Sequence, residues 1–326
     1  MDDPLGFAFP GCEVAQSLWF NDGTLIVHAG TSLFRVYGGL LAERSPIFHD
    51  MLQIPQPPGG GETFAGCPIV HLSDDPHHLK CFFLALFDHE FFPPSPATTD
   101  FPTLCGVLRV STKYQVDSLR KRALCHLSSI VTSTAAEYRA NDAGESLKID
   151  AKDWLRVVVL ARDFSILWVL PIALYRTTAY CTASEIFHGI DFHDGGGATP
   201  MHWGMNPDDQ VLCLAQAREL TSSGVSAAMD FCLNPPSTPG CLTPPHCMRR
   251  RLKAFRRIEG RRGKLFPLKI WREKDWEGIG VCEVCMPAMR EAHSAALEVF
   301  WEGLPARFGL PEWDVLRQMK DSDLAS

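Results

Sequence analysis

Four of the twelve cysteines in this 326-residue chain have a spacing that suits a metal ion. Cys282 and Cys285 form a C-x2-C pair, and Cys241 and Cys247 form a looser C-x5-C pair upstream of it. Zinc accepts four thiolates in a tetrahedron, usually as two short-spaced pairs from separate segments. The spacing therefore nominates Cys241, Cys247, Cys282 and Cys285 as ligands of a structural zinc ion. Two alternatives stay open, namely reduced thiols that pack as small apolar groups and a redox dithiol.

Other candidate metal ligands have spacings that are less typical of a metal site than those of the four cysteines. Cys232 and His246 are substitute ligands for the same zinc site, and a second metal candidate is a loop with His188, Asp191, His193, Asp194 and His202. The three glycines at 195–197 favour a solvated loop there. The chain has no H-E-x-x-H and no G-x-S-x-G, and its "GRRGKL" lacks the spacing and hydroxyl of a phosphate loop. We therefore expect no catalytic activity.

A basic run covers residues 249–264, with nine Arg or Lys and one Glu. Arginines there could hold phosphates, and such runs also serve as nuclear addresses. Leu252, Phe255 and Ile258 recur every three residues, which instead predicts an amphipathic helix with its charges in solvent. The net charge of −7 argues against a general nucleic-acid binder.

The elements that carry these groups differ between the two halves of the chain. Residues 17–38 read as a small β-meander with a hairpin at Asp22-Gly23. Ser45-Pro46 and Asp75-Pro76 each resemble an N-cap followed by the first residue of a helix. Polar residues 140–150 suggest a boundary, and the remainder is almost entirely helical apart from loops at 189–207 and 234–246. This order predicts an α+β fold.

The first half resembles a BTB/POZ domain over residues 15–135. The similarity lies in three blocks, "FNDGTLIVHAGTSLFRVYGGLLAERSPIFHDML", "IVHLSDDPHHLKCFFLALFD" and "LRVSTKYQVDSLRKRALCHL". The loop at 55–61 and the closing "GLPARFGLPEWDVL" are similar to BTB proteins expanded in mushroom-forming fungi. The resemblance implies a small β-sheet flanked by α-helical hairpins, followed by an α-helical C-terminal region at 150–326.

The same resemblance implies a non-catalytic protein-interaction module. BTB domains form dimers and often bind cullin-type ubiquitin ligases or transcriptional regulators, so the expected partner is a cullin or a second BTB chain. The expected contact surfaces are the exposed edge of Ser17–Val27 and the helix that starts at Ser45. Where the family has a basic residue after the third strand, this chain has Gly38, which leaves Asp22 without its usual partner.

The alternative function is a nuclear transcriptional regulator with a zinc-stabilised, basic C-terminal region. The acidic N-terminus is unlike a secretory signal, so we expect reduced cysteines and a cytoplasmic or nuclear location. The most apolar run after the N-terminus, residues 164–175, is too short for a membrane span of roughly 20 residues. We expect no membrane partner and no small-molecule substrate.

Overall fold

The computed structural model describes residues 9, 11–54, 61–132, 134–140, 147–193, 200–233, 238–259 and 266–325. It is a mixed α/β structure, about 60% helical, with a small curled sheet. This agrees with the predicted α+β class at the level of secondary-structure content.

The strands lie mostly in the first half of the chain. A five-stranded sheet has the order β1-β3-β2-β5-β4, and two further pairs, β6-β7 and β8-β9, are two or three residues long. The strands are β1 Glu13–Trp19, β2 Leu25–Ala29, β3 Ser32–Val36, β4 Thr63–Phe64, β5 Cys67–Leu72, β6 Thr99–Asp100, β7 Leu147–Lys148, β8 Ile190–Phe192 and β9 Met201–Trp203.

The helices occupy most of the remaining chain, together with short 3-10 turns at Leu167–Val169 and Pro267–Lys269 and a π turn at Leu220–Gly224. The helices are α1 Gly38–Arg44, α2 Pro46–Gln53, α3 Pro76–Phe87, α4 Phe101–Lys113, α5 Asp117–Ser128, α6 Ala135–Ala140, α7 Asp153–Asp163, α8 Leu170–Tyr180, α9 Ala183–His188, α10 Pro207–Glu219, α11 Val225–Ala228, α12 Asp230–Leu233, α13 Pro244–Glu259, α14 Glu273–Glu277, α15 Cys285–Glu302, α16 Leu304–Arg307 and α17 Trp313–Ala325.

The predicted helix starts are confirmed. Ser45 accepts a hydrogen bond from the amide of Phe48 at 3.0 Å, and its buried hydroxyl donates to the carbonyl of Tyr114 at 2.5 Å. Asp75 accepts from the amide of His78 at 3.0 Å. A proline follows each cap at the first helical position, where a missing amide costs no hydrogen bond. Ser45 thereby joins the start of α2 to the end of α4.

The predicted hairpin at Asp22-Gly23 is wrong. β1 runs parallel to β3, and the true hairpin joins β2 to β3. Its turn contains Gly30 at φ +53°, which favours glycine. At Gly23 a Cβ would lie 2.9 Å from Cγ of Arg35, whose Nε donates to the Gly23 carbonyl at 3.0 Å. The chain turns at Phe20 to Gly23, where the Gly23 amide donates to the Phe20 carbonyl at 2.9 Å, but β3 lies between β1 and β2. Gly23 is needed because Arg35 occupies the space of a side chain.

Residues from both halves belong to one continuous hydrophobic core. The last helix, α17, returns to the first half, where Lys121 Nζ donates to the carbonyl of Ala325 at 3.0 Å. The indole of Trp168 donates to Asp323 at 2.8 Å on the same helix. Within the described ranges, no helix has the length and apolar character needed to cross a membrane.

Candidate metal centre

The four predicted cysteine ligands come together. Cys241 lies in the loop before α13 and Cys247 in its first turn, while Cys282 precedes α15 and Cys285 is its first residue. All four sulfur atoms lie within 4.8 Å of one another. The Cys241 sulfur lies 3.4 Å from that of Cys285 and 3.9 Å from that of Cys282. The tertiary structure thus joins two segments that are far apart in sequence.

These distances suit a tetrahedral metal ion better than a disulfide. Zn–S bonds of 2.3 Å in a tetrahedron place the sulfurs about 3.8 Å apart. A disulfide requires an S–S distance of about 2.05 Å, and all four cysteines are free. Four thiol sulfurs at this separation are therefore compatible with a structural zinc ion.

Backbone and hydroxyl groups surround the sulfurs. The amide of Cys282 donates to the Cys247 sulfur at 3.3 Å, and the hydroxyl of Thr243 lies 3.4 Å from the same sulfur. A hydrogen bond from the backbone of Leu242 is the main cause that lowers the pKa of the Cys282 thiol to about 6. Burial is the main cause that raises the pKa of Cys285 to about 12. The groups around Cys282 favour its thiolate, the form that binds metal.

A turn before Cys282 fixes one side of the cluster. Gly280 has φ +69°, and the guanidinium of Arg250 occupies the space where a Cβ at this position would lie. Arg250 Nε donates to the carbonyl of Ile279 at 3.0 Å. Sequence reasoning missed both residues, although a glycine two positions before a ligand cysteine is a visible signal of a tight turn.

The substitute ligands do not join this group. His246 is exposed, and Cys232 is buried with a pKa that desolvation raises to about 12. Among the described residues, the four-cysteine cluster is the one group of three or more His, Cys, Asp or Glu side chains arranged for a metal ion.

The second metal candidate, the loop with His188, Asp191, His193, Asp194 and His202, does not form a metal-binding group among the described residues. Asp191 and His202 face each other across the β8–β9 hairpin, with Oδ1 and Nδ1 2.8 Å apart. His188 and His193 do not join them in a metal-binding group, and Asp194 lies outside the described residues. The expectation of a loop here is also wrong in part, because cross-strand pairing of Ile190–Phe192 with Met201–Trp203 makes a short hairpin.

The basic run is helical from its start to Glu259, and residues 260–264 lie outside the described part of the chain. The predicted apolar stripe is wrong at one position, since Leu252 is 38% exposed. The buried line is Cys247, Ala254 and Ile258 instead. Cys247, in the first turn of the helix, accepts a hydrogen bond from the amide of Cys282, so the buried face is the one that contains Cys247 and not Leu252.

The predicted contact edge needs a similar correction. β2, which contains Leu25 to Val27, lies between β3 and β5 and has no free edge, whereas β1 stands at the end of the sheet. Asp22 accepts a hydrogen bond from the hydroxyl of Tyr37 at 2.9 Å. Tyr37 thus contacts the carboxylate that the BTB pattern would leave for a basic residue.

A comparison with models of known protein families finds no match to this chain, and a comparison with curated proteins finds none either.

Proposed function

We propose that this chain is a non-catalytic protein-interaction module of the BTB/POZ type, whose partner is a cullin-type ubiquitin ligase component or a second copy of the chain. The observation that supports this most is the order of elements in the first half. Strands β1 to β3 are followed by a helical pair, α1 and α2, then by strands β4 and β5, helix α3, strand β6 and a second helical pair, α4 and α5. Apart from the two-residue strands β4 and β6, this matches the order that the sequence resemblance implies, namely three strands, a helical hairpin, a strand, a helix and a helical hairpin.

Two surfaces of that half are open to a partner. β1 pairs with β3 on one side, and its other side forms an end of the sheet. Such an edge is a template for another strand. The second surface is at α2, where Ile47 on the helix and Ile54 at its C-terminal end are 36% and 62% exposed. Exposed apolar side chains of this kind suit a binding surface.

The test uses the full chain and measures self-association by analytical ultracentrifugation and binding to a purified cullin N-terminal domain. The double variant Ile47→Asp with Ile54→Asp is expected to weaken the detected association at least tenfold. The matched control, Val211→Asp with Val299→Asp, changes side chains that are 65% and 75% exposed elsewhere and should leave it unchanged. A chain that stays monomeric at high concentration and binds no cullin would contradict the proposal.

We also propose that Cys241, Cys247, Cys282 and Cys285 hold one structural zinc ion. A zinc ion bound there would join the loop before α13 to the start of α15. Closed four-thiolate sites contribute folding free energy and leave no open position for a substrate. Elemental analysis of purified protein should find one zinc per chain, lost in Cys282→Ser with Cys285→Ser and kept in Cys125→Ser. Zinc-free protein purified under metal-replete, reducing conditions would refute the site.

A further inference from the structure

Helix α13 presents an apolar strip that the hydrophobic core does not use. Met248 and Leu252 are 51% and 38% exposed and lie four residues apart, so they share a face of the helix. Leu242, in the loop before the helix, is 62% exposed. Recognition of one helix by another uses anchors at this i, i+4 spacing.

A row of cations borders this strip. Arg249, Lys253 and Arg256 are exposed, and at 100° per residue they lie on the solvent side of α13 beside Leu252. In the part of the chain that the structure describes, no carboxylate pairs with any of the three. Two other arginines of the same helix interact within the chain. Arg250 donates to the carbonyl of Ile279, and Arg257 forms an ion pair with Asp275.

The face is held in a fixed position. Cys247, Ala254 and Ile258 bury the opposite side of α13. Arg257 Nη2 lies 3.2 Å from the buried carboxylate of Asp275. A partner would therefore meet an ordered surface, which lowers the entropy cost of binding.

We propose that this face of α13 binds an acidic amphipathic helix of a protein partner. Its acidic side chains pair with Arg249, Lys253 and Arg256, and its apolar side chains cover Met248 and Leu252. Charge complementarity supports this occupant, because no carboxylate among the described residues pairs with the three cations and the chain carries a net charge of −7. Nucleic acid fits less well, since phosphates would satisfy the cations and leave the apolar strip uncovered.

This surface goes beyond the proposed function, because it lies outside residues 15–135. The two proposals can fail separately. The variant Ile47→Asp with Ile54→Asp should keep full binding at α13, and α13 variants should keep the association measured for the first half.

The experiment selects ligands from a displayed library of random 16-residue peptides on the full-length, zinc-replete chain. Selected peptides are expected to carry two or more Asp or Glu at i, i+4 beside an apolar stripe. Their affinity should fall at least tenfold for Arg249→Glu with Arg256→Glu, and at least fivefold for Met248→Gln with Leu252→Gln. The control, Val211→Gln with Lys274→Glu, should stay within twofold of the unaltered chain.

All altered side chains are exposed, so zinc content and circular dichroism should match the unaltered chain. The proposal is overturned if selected peptides show no acidic excess, or if they bind the α13 variants as well as the unaltered chain. It is also overturned if a 16-base-pair DNA duplex displaces them at lower concentration than free peptide does, which would assign the face to nucleic acid.

Discussion

Zinc at the four-cysteine cluster should raise the thermal stability of the whole chain in proportion to the logarithm of free zinc. A ligand that binds only the folded state adds about 1.4 kcal/mol to the unfolding free energy for each tenfold increase above its dissociation constant. The sulfurs already lie within 4.8 Å of one another, so binding needs little rearrangement.

The slope of this dependence follows from the size of the unit that unfolds. Unfolding entropy is about 2.1 cal/mol/K per residue near 60 °C, or about 0.7 kcal/mol/K for all 326 residues. The core is continuous between the two halves, so we expect the whole chain to unfold together. The predicted slope is then about 2 °C per tenfold change in free zinc. If residues 150–326 unfolded alone, it would be about 4 °C.

The assay is differential scanning calorimetry in metal-buffered solutions that span three decades of free zinc under reducing conditions. Cys285→Ser should shift the dependence to much higher free zinc, because a hydroxyl replaces one thiolate ligand. Cys125→Ser, outside the cluster, should follow the unaltered chain. A melting temperature independent of free zinc, in a chain that retains all four cysteines, would refute the reasoning.

Two further changes test the surroundings of the cluster and of the core. Gly280→Ala should lower the unfolding free energy by more than about 1 kcal/mol, because Gly280 has φ +69° and lies against Arg250. The control Gly66→Ala, at φ +76° in open space, should cost less. Equal losses of unfolding free energy in urea denaturation would exclude crowding by Arg250. Burial lowers the pKa of His126, whose Nε2 donates to the carbonyl of Pro93, below its ordinary 6.5. The unfolded chain therefore binds the proton more tightly, and the stability present above pH 6.5 is lost as the pH falls through the lowered value. His126→Gln should flatten this part of the pH profile of chemical denaturation, and an unchanged profile would contradict the assignment.

The sequence alone predicted structural features correctly where the interacting residues are close in the chain. Ser45 and Asp75 cap helices three residues away, and proline at the next position reinforces each start. The C-x2-C spacing of Cys282 and Cys285 likewise pointed to half of the four-cysteine cluster. These features need one turn of helix or one loop, so sequence spacing specifies them.

Long-range pairing was decided by the tertiary structure. The local signal at Asp22-Gly23 favours a hairpin with β2, yet β1 pairs in parallel with β3. Burial of Leu18 and the close approach at Gly23 accompany the observed pairing. The sequence likewise did not determine which side of α13 is buried, because Leu252 and Ala254 both belong to apolar stripes of an ideal helix. The buried face is the one that Ala254 shares with Cys247, whose sulfur accepts from the amide of Cys282.

The sequence by itself determined the helix starts and the α+β composition, and it singled out the four cysteines that cluster in the structure. Only the tertiary structure brought Cys241 and Cys247 to Cys282 and Cys285, and only it left Met248, Leu252 and three cations facing solvent on α13. The physical reason is that helix propensity and capping act within a few residues. The meeting of two distant segments depends instead on how all the apolar faces pack into one core.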